Sequence, residues 1–320
     1  MYINSLGEKS TVAVVIPAYK VSDHILKVVN SISLDIDHVI IVDDACPENS
    51  SEHLRKQDLA REITIIRHEA NLGVGGAMKT GYRRAIELGA DIVIKIDGDG
   101  QMDSRLIPNL IKPILSGQSE YTKGNRFYSL ELIRNMPKIR LFGNVVLSFM
   151  SKLSTGFYHI FDPNNGFTAV SSEALLLMDF STIDDRYFFE SDMLYQINAI
   201  GMRVLDVPTP AIYGEEVSNL KVGHSVFYFL ARHMRNTLKR ITLNYFIRDF
   251  SVATVQLVFG LILAIWGITL GLSTWIQSSH SGLPSQPGTI VLVAILCITS
   301  LQLLLSFINY DISRNRRDKS

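Results

Sequence analysis

The chain has 320 residues, 31 basic and 31 acidic, so its formal net charge is zero at pH 7. That balance gives no electrostatic reason to expect a nucleic-acid partner, and 47% apolar against 19% charged residues suits a globular domain with some membrane-embedded length. The only cysteines, Cys46 and Cys297, lie far apart in unlike segments, which argues against a disulfide framework or a cysteine zinc site and fits a reducing compartment.

Met1 to Ser10 is short and polar and lacks an apolar core, so no cleaved signal peptide is expected ahead of the first domain. From Thr11 to about Pro210, β-branched runs alternate with amphipathic stretches. Residues 12–16, 39–42, 63–66 and 92–96 read as strands, and their unbroken apolar character predicts burial on both faces. Helical spacing falls between them at 23–33, 51–61 and 76–88. This βαβ rhythm predicts an α/β fold, an open and mostly parallel sheet with helices on both faces. Ligands collect beyond the strand ends of such sheets.

Residues 225–250 mix aromatic and aliphatic side chains with Arg232, His233, Arg235, Lys239, Arg240 and Arg248. That composition predicts an amphipathic helix at a membrane surface, its cations toward phosphate headgroups. Residues 252–276 and 289–308 are uncharged, and each is long enough to span a hydrocarbon core, which needs about 20 residues. Trp275 sits where an interfacial anchor belongs. The connector 277–288 has no Lys or Arg, whereas Lys239, Arg240 and Arg248 precede the pair and Arg314, Arg316, Arg317 and Lys319 follow it. The positive-inside rule makes this a two-helix transmembrane hairpin with both ends cytoplasmic. The expected regions are therefore 1–224, 225–250 and 251–320.

The strongest chemical signal is Lys95-Ile96-Asp97-Gly98-Asp99-Gly100-Gln101 at the end of the fourth strand. Alternate residues at a strand end point the same way, so Asp97 and Asp99 could offer oxygens to a hard cation such as Mg²⁺, which favours carboxylates together with substrate phosphates. Taken alone, the pattern is equally a solvent turn. A calcium EF-hand is disfavoured, since no Glu closes the loop and no helix precedes it.

Context adds to the pair. The first strand ends Ile16-Pro17-Ala18-Tyr19, the second ends Val42-Asp43-Asp44, and Asn71-Leu72-Gly73-Val74-Gly75-Gly76 precedes the Asp97 strand. This ordered set resembles the nucleotide-sugar half of family 2 glycosyltransferases over roughly Thr11 to Leu220. The resemblance implies a GT-A fold, a UDP- or GDP-linked donor, and Mg²⁺ or Mn²⁺ held by Asp97, Asp99 and Gln101. Pro17, Tyr19, Asp43, Asp44, Gly73, Gly76 and Asp97 become the donor-binding positions.

Lys123-Gly124-Asn125-Arg126-Phe127, then Arg140 with Asn144, then Asp162-Pro163-Asn164-Asn165-Gly166-Phe167, are similar to the acceptor side of polyprenyl-phosphate glycosyltransferases, the dolichyl-phosphate mannose synthases and their undecaprenyl relatives. That likeness implies a polyprenyl phosphate acceptor gripped by Arg126, Arg140 and Asn144. It places Asp192, in Phe188-Phe189-Glu190-Ser191-Asp192, in the slot of a catalytic carboxylate. For a hydroxyl acceptor Asp192 would be the general base; for an anionic phosphate acceptor it would orient a substrate. Inversion at the anomeric carbon also follows from the likeness, while the hairpin and its charged flanks imply a multi-pass protein of the cytoplasmic membrane with catalytic domain and C-terminus cytoplasmic. The oligomeric state is left open, a homo-oligomer assembled through the membrane segments being one form that the likeness allows. Thr168 stands where dolichyl-phosphate enzymes carry Arg, which leaves the donor sugar unassigned. A processive synthase is disfavoured because neither Trp266 nor Trp275 follows an Arg. The competing readings are transfer to a hydroxyl of a lipid-linked glycan and a non-catalytic membrane scaffold.

Overall fold

β-Branched runs bury both faces only when something covers each face, and the computed structural model shows how this chain does it. The structure describes residues 2–55, 57, 59, 61–128, 138–163, 165–209 and 222–317. The chain divides into two compact units, Met1–Thr237 and Leu238–Ser320.

In the first unit, β1 (Tyr2–Ile3) and β2 (Lys9–Ser10) form a small antiparallel hairpin. Then follow β3 (Val12–Ala18), α1 (Ser22–Ser31), β4 (His38–Asp43), α2 (Ser50–Arg55), β5 (Thr64–Arg67), α3 (Val74–Glu87), β6 (Ile92–Lys95) and α4 (Ile107–Leu115). The second half adds β7 (Tyr121–Asn125), α5 (Lys138–Thr155), β8 (Thr168–Ser171), α6 (Ser172–Leu177), α7 (Phe189–Ala199), β9 (Val204–Pro208) and α8 (Val222–Ile241). Among the described residues the strands form a seven-stranded sheet ordered β5-β4-β3-β6-β8-β7-β9. β3 pairs in parallel with β4 and β6, and β4 with β5. β8 runs antiparallel to both β6 and β7, and β9 is parallel to β7. The mostly parallel α/β sheet expected from the sequence is present, with one reversed strand.

Alternation along β3 explains the apolar run. Ala13 and Val15 join the core under α3 and α7, with Ala77, Met78, Tyr82, Phe189 and Met193. Val12, Val14 and Ile16 join the opposite core under α1 and α4, with Ile25, Val28, Leu110 and Ile111. All five of these strand side chains are fully buried. Polar residues there would leave buried groups without partners, so both faces demand apolar side chains.

Not all of the cations of α8 lie on its exposed face. Two of its cations turn inward to carboxylates, Arg232 to Asp184 at 2.6 Å and Arg240 to Asp311 at 2.8 Å, and between them the His233 Nδ1 lies 2.8 Å from Ser154 Oγ. Burial pushes the His233 imidazole down to about 4, so it is neutral at ordinary pH. The exposed stripe is apolar, with Phe227, Leu230 and Met234 at successive turns, while Arg235 and Lys239 remain exposed. Buried carboxylates attract these cations more strongly than solvent does, and composition does not reveal that.

The second unit contains α9 (Val252–Ser281) and α10 (Pro287–Arg317), and among the described residues both are long and apolar enough to cross a membrane. They outrun the expected 252–276 and 289–308 because helix continues through Gln277–Ser281 to Gly282, whose φ of 67° ends it. Side chains such as Phe259, Ile265, Trp266 and Trp275 are exposed, which a soluble buried hairpin would not tolerate. At one end Arg240 makes a bidentate pair with Asp311, Tyr245 donates to the same carboxylate at 2.7 Å, and the Tyr245 ring packs on Phe307.

Candidate active site

The strand ends of β3, β4 and β6 and the start of α3 surround a cavity of about 380 Å³. Its lining includes Pro17, Tyr19, Asp44, Asn71, Gly73, Asp97, Asp99 and Arg186. Parallel strands deliver their C-terminal loops to one sheet edge, so residues spread from Pro17 to Asp99 meet there, joined by Arg186 and Tyr187 from far along the chain.

Asp97 and Asp99 line the same cavity, though not as strand residues. β6 ends at Lys95, and Asp97 to Gly100 form a turn with Gly100 at φ 78°. The turn, and not strand alternation, brings the two carboxylates together. Asp99 Oδ1 accepts from the Gln101 amide at 2.9 Å, which closes it. Beneath lies Lys95, 1% exposed, its ammonium 2.6 Å from Asp97 Oδ1 and 3.3 Å from Glu190 Oε1. Burial works against the Lys95 charge, but these two carboxylates outweigh it and hold the ammonium pKa above the ordinary lysine value. Gly166 packs directly on this pair: a Cβ there would meet Lys95 Nζ at 2.3 Å and Asp97 Oδ2 at 2.5 Å.

The two aspartates after β4 have different surroundings. Asp44 lines the cavity, accepting from the Leu72 and Gly73 amides at 2.9 and 2.7 Å and lying 2.8 Å from His68 Nδ1. Asp43 is fully buried and accepts from the Cys46 amide and the Ser51 hydroxyl. It shapes the turn into α2 and is not among the cavity-lining residues. Gly76 is buried in α3 outside that lining.

The glycine run has a cause that sequence reasoning missed. The backbone of Asp184–Arg186 crosses over it: a Cβ on Gly75 would lie 2.2 Å from the Asp184 carbonyl, and the Gly76 amide donates to the Asp185 carbonyl at 2.9 Å. No local pattern announces a partner about 110 residues away.

Asp192 does not reach the cavity. It is 4% exposed, and its oxygens accept from the Asp184 amide at 2.9 Å and from Asn236 Nδ2 at 2.6 Å. Burial raises its pKa above the usual carboxylate value, partly offset by these donors. The carboxylate of α7 that reaches toward Asp97, through Lys95, is Glu190. On the acceptor side, Arg126 lies in a bidentate pair with Asp162, Nε and Nη2 at 2.8 and 3.1 Å. The side chains of Arg140 and Asn144, and all of Asn164, lie outside the described residues. Behind Arg126 sit Lys123, brought down to about 8 by burial, and Asp206, pushed up to about 6 by burial.

Residues 13–181 match the family model for glycosyl transferase family 2. The chain belongs to that family. It is 32% identical to the UDP-N-acetylglucosamine–dolichyl-phosphate N-acetylglucosaminyltransferase of Methanococcus voltae, a match covering 68% of this chain and 93% of that one. It is 24% identical to the undecaprenyl-phosphate mannosyltransferase of Micrococcus luteus, over 53% of this chain and 70% of that one. Among solved structures, glucosyl-3-phosphoglycerate synthase from Mycobacterium tuberculosis, in complex with uridine diphosphate, superposes with a TM-score of 0.55 at 20% identity, covering 71% of this chain and 80% of that one. That likeness establishes the shared GT-A fold. This family 2 chain is thus a nucleotide-sugar glycosyltransferase, and the two relatives just described are named for acting on polyprenyl phosphates.

Proposed function

We propose that this glycosyltransferase moves one monosaccharide from a UDP- or GDP-linked sugar to a membrane polyprenyl phosphate, with inversion at the anomeric carbon. The supporting observation is the single cavity that gathers Pro17, Tyr19, Asp44 and Gly73 with Asp97 and Asp99. The first four, backed by buried Asp43 and Gly76, receive the nucleoside; the last two meet the diphosphate. The UDP-sugar donor and dolichyl-phosphate acceptor in the name of the archaeal relative support this choice of substrates.

Mg²⁺ or Mn²⁺ suits the donor set. Asp97 Oδ1 is taken by Lys95, and among the described residues Oδ2 accepts no hydrogen bond. Among those residues no group of three His, Cys, Asp or Glu forms a cage, and hard cations bound beside phosphates need only one or two carboxylates. Asp97, Asp99 and Gln101 would hold the ion. When bound it would neutralise charge on the departing diphosphate.

An acceptor phosphate oxygen attacks the anomeric carbon from the face opposite the diphosphate. A C–O bond to the acceptor forms, the C–O bond to the donor β-phosphate breaks, and the nucleoside diphosphate leaves with the electron pair. The acceptor is already anionic, so no base is needed. The occupied oxygens of Asp192 favour this over transfer to a hydroxyl, which requires one. Arg126, with Arg140 and Asn144, receives the lipid phosphate. Regions 1–224, 225–250 and 251–320 act as catalytic domain, surface helix and anchor in the cytoplasmic membrane. Tethering to the bilayer raises the local concentration of a lipid acceptor.

The test is mass spectrometry of lipid products from the detergent-solubilised chain, given UDP- and GDP-sugars with dolichyl or undecaprenyl phosphate. The expected product is a polyprenyl-phosphate monosaccharide, abolished by D97N/D99N. Sugar appearing only on glycan hydroxyls would refute the acceptor assignment.

A further inference from the structure

The segment Asp184–Tyr187 belongs to none of the motifs read from the sequence, yet Arg186 and Tyr187 line the cavity that holds Asp97 and Asp99. Its three charged side chains have different fates. Asp185 pairs with Lys79 at 2.6 Å. Asp184 accepts from the Tyr228 hydroxyl at 2.5 Å, pairs with Arg232 at 2.6 Å, and takes the Arg186 amide at 2.8 Å. Both acids are therefore neutralised by other cations. Among the described residues no carboxylate pairs with the Arg186 guanidinium, which is exposed.

The segment carrying it is held firmly. From below, the Gly76 amide holds the Asp185 carbonyl, and Lys79 Nζ donates to the carbonyls of Phe180 and Ile183 at 3.1 and 2.7 Å. From the other side, Tyr228 and Arg232 of α8 grip Asp184, and Asn236 grips Asp192, which in turn holds the Asp184 amide. These contacts fix the backbone from which Arg186 reaches the cavity wall, which limits the reorganisation needed for its guanidinium to meet a developing charge there.

We infer that Arg186 is a catalytic residue that meets the diphosphate of the nucleotide-sugar, and that α8 positions it through Asp184. This rests on the donor class proposed above. Asp97 and Asp99 bring two carboxylates to the cavity, and Lys95 contacts the first of them. A diphosphate brings more negative charge and gains a further charge on leaving, so a guanidinium fork beside it stabilises the departing group. Phosphate oxygens could also come from the lipid acceptor. The donor is favoured because Arg186 shares its cavity with Asp44 and Gly73 at the nucleoside end, whereas Arg126 is not among the lining residues.

The test is isothermal titration of the full chain in detergent with UDP, GDP and UMP, each with Mn²⁺, alongside steady-state kinetics. R186A should weaken diphosphate binding about tenfold or more, leave UMP binding unchanged, lower kcat, and keep the KM for polyprenyl phosphate. R186K should fall between, since it keeps the charge and loses the fork. Y228F/R232Q should weaken UDP or GDP binding several-fold with an unchanged far-UV circular dichroism spectrum. Diphosphate binding by R186A within twofold of wild type, or a rise confined to the lipid KM, would overturn the assignment. Unaltered binding by Y228F/R232Q would overturn the role of α8. Wild-type protein that binds neither UDP nor GDP would instead remove the donor class itself.

Discussion

Replacing Lys95 by Met tests the electrostatic floor of the site. The ammonium is 1% exposed and lies 2.6 and 3.3 Å from the Asp97 and Glu190 carboxylates. At an effective dielectric of about 20 these separations correspond to gross attractions of about 6 and about 5 kcal/mol. Desolvation cancels much of that, and removing one partner of a buried pair costs about 3–5 kcal/mol. Lys123, which also feels Glu190, places the expectation near the lower end. For a unit of this size such a loss lowers the thermal midpoint by roughly 6–12 °C. Because both carboxylates raise the Lys95 pKa, its contribution is fully present below the unfolded value of 10.5 and is lost only as pH rises through the folded one. The deficit should therefore be flat between about pH 6 and 9. The double variant K95M/E190Q removes the stranded charge and should recover about 1–2 kcal/mol relative to K95M. Both tryptophans lie in α9, so far-UV circular dichroism, not tryptophan fluorescence, is the measure for the catalytic unit. A K95M loss under about 1 kcal/mol, or additive single and double variants, would refute this account.

Gly75→Ala places a Cβ against the Asp184 carbonyl and should cost about 1–3 kcal/mol and raise the donor KM. Gly143→Ala, with open space around it, should be near neutral in the same thermal melts. D192N should lose about 1–3 kcal/mol in chemical unfolding through its contacts to Asp184 and Asn236, yet keep more than about a tenth of wild-type kcat, since general-base loss alone costs about 100-fold or more. Loss far beyond that, at intact fold, would make it the base. The His233 pKa is depressed to about 4, so its contribution is present above the unfolded value of 6.5 and lost as pH falls toward 4. Urea titrations at pH 7 and 5 should show wild type losing stability relative to H233F, by about 1–2 kcal/mol. Asp206 has the opposite sign: its raised pKa of about 6 favours the folded state below pH 3.8 and loses that contribution as pH rises through 6. D206N should therefore gain on wild type between pH 4 and 7 in the same titrations.

Much of this protein was written in local pattern. Strands 12–16, 39–42 and 92–96 were legible because two-sided burial forces unbroken apolar runs. The two long apolar helices were legible because each carries an uncharged run of about 20 residues or more, the length that a hydrocarbon core needs. The pairing of Asp97 with Asp99 was legible because one turn holds both. What stayed hidden depends on partners distant in sequence. Glu190 and not Asp192 reaches toward Asp97 because Lys95 lies beneath it, while Asn236 and the Asp184 amide claim Asp192. The inward turn of Arg232 and Arg240 rests on Asp184 and Asp311, 48 and 71 residues away. Composition can count those cations. Only the fold decides which carboxylate is near enough to outbid water for each of them.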